Sequence, residues 1–120
     1  MKADIQQFMG LLFASRDYAH KAHLATESYA EHKALNSFYD GIVDLADSLA
    51  ETWMGRNEKK IGEIPTINVP KGEPLAVMKR LLEVVQDTRD FVGQDTVLSN
   101  IMDEIEALYS STIYKLKFLK

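Results

Sequence analysis

Residues 56–73 read RNEKKIGEIPTINVPKGE, with Gly62, Pro65, Pro70 and Gly72 spread through them. Proline removes a backbone donor and clashes with the preceding turn, so no continuous helix runs through this stretch. A connection this long inside a compact domain needs a physical reason. Extended, it reaches roughly 55 Å. The segment before it, residues 29–55, predicts a helix about 40 Å long at about 1.5 Å per residue. The chain can therefore leave one end of a bundle and return to the other before the next helix starts.

The flanking segments all carry the three-and-four apolar repeat of amphipathic helices. Ile5, Phe8, Leu12, Ser15 and Ala19 mark the first, and Leu35, Phe38, Ile42, Ala46, Leu49 and Trp53 the second. Leu75, Met78, Leu82 and Val85, reaching Val92, mark the third; Leu98, Ile101, Ile105, Leu108, Thr112 and Leu116 mark the fourth. Ser28 with Glu31 is a capping box, Gly55 a C-terminal stop, Pro74 a first helical residue, and Asp95 or Thr96 an N-cap. One all-α domain over 1–120 is expected, with helices at about 2–25, 29–55, 74–92 and 96–119 and a crossover at 56–73. Two antiparallel hairpins joined by one long crossover is the connectivity of ferritin-like four-helix bundles.

Composition narrows the function. The 120 residues are 46% hydrophobic and 27% charged, which suits a globular domain with a real core. There is no cysteine, which excludes disulfides, thiolate metal sites and thiol catalysis and fits a reducing, cytoplasmic setting. No segment has the roughly 18 apolar residues of a membrane span. The net charge of −4 argues against nucleic acid as the main ligand. The basic KLKFLK at 115–120 complements the end of a helix.

All three histidines, His20, His23 and His32, fall within AHKAHLATESYAEH at 19–32. With a hairpin turn near residue 26, His20 and His32 are each six positions away and are expected to sit level across helices one and two. His23 lies nearer the buried stripe and is expected to pack beside the pair. On helix two, Asp47 and Glu51 fall about 140° and 180° from Ile42, away from the core, with Asp40 and Asp44 on the same side. Asp47 is fifteen residues from His32, roughly 22 Å along the axis, so one chain cannot bring both to one metal. Two copies of helix two crossing antiparallel near residue 40 would pair His32 of one chain with Asp47 and Glu51 of the other, twice per dimer. Tyr39, Val43 and Ala50 would add apolar contact.

These spacings resemble the Dps-type miniferritins, in which two histidines twelve residues apart are followed by aspartate fifteen on and glutamate four beyond that. Here the matching positions are His20, His32, Asp47 and Glu51. The resemblance covers about residues 10–55 and implies an iron site between subunits of a homodimer or larger homo-oligomer. His23 and Asn36 would be its neighbours. The chain departs from the family pattern at Lys21, Asn36 and Thr52, where tryptophan, an acid and arginine are usual. The departures imply one well-held metal per site and a weak ferroxidase at most. Imidazole and carboxylate donors would also accept zinc or manganese.

Two other readings fit the same residues. A non-catalytic helical oligomerisation or interaction protein would keep the fold without the chemistry. A magnesium-dependent nucleotide pyrophosphohydrolase could use the acidic ladder Asp40, Asp44, Asp47 and Glu51. Asp87-x-x-Asp90 and Asp103-x-x-Glu106 do not complete the paired acidic motif such enzymes carry.

Overall fold

The computed structural model describes residues 4–120. Four helices form a bundle: α1 is Ile5–Ala25, α2 Tyr29–Asn57, α3 Pro74–Thr88 and α4 Thr96–Phe118. No strand occurs among the described residues. None of these helices is long and apolar enough to cross a membrane. The start of the first helix expected at residue 2 lies outside the described residues; Asp4 caps α1, its carboxylate accepting from the Gln7 N–H.

Local chemistry sets most boundaries. The Ser28 hydroxyl accepts from the Glu31 N–H, and Asp95 accepts from the N–H groups of Val97 and Leu98. Pro74 opens α3, where its missing donor costs nothing. Two expected ends move. Helix α2 runs past Gly55 to Asn57, and Glu58 takes the left-handed cap conformation at φ 51°. The third helix does not continue to Val92: Arg89–Val92 tighten into a 3-10 turn that ends at Gly93, φ 63°. The turn swings Phe91 onto Phe8, ring centroids 5.4 Å apart. Arg89 pins it to α4 through Glu106, Asp103 and the Ser99 carbonyl. Burial works against the Arg89 charge, but its bonds to Glu106 and Asp103 outweigh this and raise its pKa.

The crossover is extended and lies along α1. The Gln6 amide donates to the Ile61 carbonyl at 2.8 Å near one end, and the Tyr18 hydroxyl donates to the Gly72 carbonyl at 2.9 Å near the other. The strap thus travels from the start of α1 towards its end, and α3 begins beside the α1–α2 turn. Helices α1 and α2 form one antiparallel hairpin, α3 and α4 the second. The Arg56–Asp95 ion pair, at 2.5 Å, ties the end of α2 to the start of α4.

The core is built from Phe8, Met9, Leu12, Leu35, Phe38, Ile42, Leu49, Met78, Leu81, Val85, Met102, Ile105 and Tyr109. On α3 the buried stripe is Val77, Met78, Leu81 and Val85; Leu75 and Leu82 sit at its edge. Tyr109 is fully enclosed. Its hydroxyl donates to Ser15 Oγ at 2.7 Å, and Ser15 donates to the Leu11 carbonyl at 2.9 Å. A buried hydroxyl needs such a partner. This explains why Ser15 occupies an apolar stripe position. Burial raises the Tyr109 pKa.

Gly10 is required where the strap crosses α1. A Cβ there would lie 2.6 Å from the Pro65 carbonyl oxygen and 2.8 Å from Ile67 Cγ1. Gly10→Ala is expected to destabilise the fold by about 1–3 kcal/mol through overpacking. Gly55 has open space around its Cβ position, so Gly55→Ala should stabilise by up to about 1 kcal/mol. Urea unfolding monitored by circular dichroism measures both.

Candidate functional site

At the α1–α2 turn the two helix ends lock together through imidazoles. His23 Nδ1 lies 2.9 Å from the His32 carbonyl oxygen, and His32 Nδ1 lies 3.0 Å from the His23 carbonyl oxygen. A carbonyl can only accept, so both Nδ1 atoms carry a proton, and in the neutral rings Nε2 is the nitrogen with the lone pair. The rings stack at 3.7 Å between centroids, 24° from parallel. His23 is 7% exposed. The His23 carbonyl belongs to the last turn of α1, where no intrahelical donor remains, so His32 caps the preceding helix.

The register differs from the sequence expectation. The ring facing His32 is His23, not His20. His20 instead stacks on Tyr39, centroids 4.3 Å apart and 20° from parallel, and lies 6.1 Å from His23. The Tyr39 hydroxyl donates to Asn36 Oδ1 at 2.8 Å, and Asn36 Nδ2 donates to Asp40 at 3.1 Å. Asn36 is thereby engaged on its own helix. Tyr39 takes its place as the platform for His20, which the reading of the sequence missed.

Asp47 and Glu51 are exposed, as are Asp40 and Asp44. Asp47 and Glu51 stand one turn apart on α2, more than four turns from His32. The expected set His20, His32, Asp47 and Glu51 does not fit one metal within the chain. Among the described residues, no three His, Asp or Glu side chains are placed to hold a metal ion.

A concavity of about 630 Å³ opens beside the turn between α1, α2 and the start of α3. Tyr18, Lys21, Glu27, Glu31 and Glu73 line it. Burial, then the negative charges of Glu73 and Glu31, push the Tyr18 phenol up to about 12. At the other end of the bundle, the hydrogen bond from Arg56 holds Asp95 below the usual carboxylate range.

Residues 23–116 match the family described as "Family of unknown function (DUF5856)". That is most of the chain, and the protein belongs to this family. The matched stretch takes in His23, His32, Asp47 and Glu51 and begins after His20. The chain is also similar to an uncharacterized 14.6 kDa protein in the mobD-ri intergenic region of Enterobacteria phage T4. The two are 28% identical over 116 residues, covering 96% of this chain and 88% of the phage protein. No solved structure matches the chain.

The clamp predicts strong coupling. His32→Ala removes a stacked ring and leaves the His23 carbonyl without its donor, so a loss of about 1–3 kcal/mol is expected. His23→Ala on top of it should cost much less than it does alone, because the two rings share one set of contacts. A double-mutant cycle by urea unfolding measures this. Tyr18 gives an alkaline signature. Its folded pKa lies above the ordinary 10.0, so stability holds below about pH 10 and falls as pH rises towards about 12. Tyr18→Phe should lessen that fall.

Proposed function

We propose that the protein works by association rather than catalysis, as a helical interaction protein. The observation that carries this reading is where its large apolar side chains lie. Tyr114 is 56% exposed and Phe118 62% exposed, their ring centroids 5.5 Å apart and their planes tilted by 41° on the outside of α4. Tyr29 and Leu24 are exposed at the hairpin turn. Side chains that could do chemistry are held differently. His23 and His32 bind the backbone of α1 and α2, while the carboxylates of α2 spread along a solvated face. Residues with a packing task of this kind support a scaffold role.

The miniferritin-like reading, with iron, zinc or manganese between subunits, keeps one observation in its favour. The carbonyl bond at His32 Nδ1 leaves Nε2 as the metal-binding nitrogen, an arrangement common among histidine ligands. The site would need a second copy, with His32 of one chain opposite Asp47 and Glu51 of its partner. An α2–α2 crossing near residue 40 also sets Asp40 against its own copy, a repulsion that a bound cation would offset.

The two readings part on metal dependence. Sedimentation velocity in EDTA is expected to show self-association that rises with protein concentration, and iron(II) is expected to leave it unchanged. Calorimetric titration should show no stoichiometric iron(II) binding. Association that appears only with iron(II), and disappears in His32→Ala and Glu51→Ala, would overturn the proposal in favour of the intersubunit site.

A further inference from the structure

We infer that the outer face of α4 docks a second copy of this chain, the two α4 helices crossing antiparallel about a two-fold axis near Ser110 and Ser111. This rests on the association reading and names its partner and surface. Taking Ile105 as the centre of the buried stripe, Tyr114 lies about 180° around the helix, with Asp103, Ala107, Ser110 and Phe118 within about 40° of it. All five are exposed, and so is Ser111 at the edge of this face. Small residues at 107, 110 and 111 let a second helix approach closely. The aromatic pair at 114 and 118 supplies apolar area that one chain leaves in water.

Charge identifies the occupant as the same surface turned end over end. In an antiparallel two-fold pair, positions whose numbers are symmetric about 110 face each other, and each flank faces its own copy. Tyr114 then covers Ala107 of the other chain. On one flank Lys115 meets Glu104, and on the other Lys117 meets Asp103. Each contact occurs twice. Neither lysine forms an ion pair within the chain among the described residues, and neither does Glu104. Asp103 binds Arg89 with one oxygen while its side chain stays 65% exposed. A parallel pairing would set lysine on lysine and acid on acid. The face is one helix wide and about 22 Å long from Asp103 to Phe118, so it buries less than the roughly 800 Å² per partner of a standard interface. The dimer should therefore be weak, in the micromolar range or above.

The test uses the intact chain, which has no cysteine of its own. Ser110→Cys should form a disulfide-linked dimer under mild oxidation, whereas Asp40→Cys, exposed where two copies of α2 would cross, should not. By sedimentation equilibrium, Lys115→Glu and Glu104→Lys should each weaken dimerisation about tenfold, and the double swap should restore it. Tyr114→Ala should weaken it without changing the circular dichroism spectrum. Cross-linking through Asp40→Cys but not Ser110→Cys would overturn the α4 surface while leaving the association reading intact. A monomer at all concentrations up to roughly 1 mM would overturn both.

Discussion

Two imidazoles and two carbonyl groups hold the α1–α2 hairpin, and the rest of the molecule is arranged around that register. With His23 bonded to His32 and His32 bonded back to His23, α1 cannot slide or rotate against α2. The fixed hairpin sets the Ser15 hydroxyl where Tyr109 must deliver its buried O–H. It also orients α1 so that Gly10 faces outward beneath the crossover. The strap can then reach the turn end of the bundle, and α3 can start there. Each of these contacts joins residues far apart in sequence, and each would be lost if the hairpin shifted by one turn.

Much of the architecture was legible in the chain. Ser28, Asp95 and Pro74 start helices for reasons that act within a few residues, and the Pro-Gly spacing of 56–73 excludes a helix there. The ends at Asn57 and Thr88 were harder to read. Gly55 lies in open space and is tolerated inside the helix, and the 3-10 turn at Arg89–Val92 is set by distant partners, Phe8 on α1 and Glu106 on α4. Ser15 marks a stripe position by its spacing, but its partner Tyr109 lies ninety-four residues away and no local pattern points to it.

The histidines show where sequence reasoning reached its limit. Placing the hairpin centre at Thr26 pairs His20 with His32. The facing histidines are symmetric about a point between Glu27 and Ser28, close to midway between the end of α1 at Ala25 and the start of α2 at Tyr29, and not about Thr26. That shift brings His23 opposite His32 and leaves His20 on Tyr39. The far-side placement of Asp47 and Glu51 on α2 followed correctly from helical periodicity alone. Periodicity gives the face of a residue but not what covers that face, so the outer side of α4 stood out only once the structure showed Tyr114 and Phe118 exposed.

The central claim is that His23 and His32 act as a clamp between helix ends. Long-range proton–nitrogen correlation spectra of the imidazole side chains, recorded at neutral pH with and without iron(II), address it directly. The account predicts that both rings carry their proton on Nδ1 and that iron(II) leaves their resonances unchanged. Protons on Nε2, or stoichiometric loss of the His32 signals on adding iron(II), would contradict it.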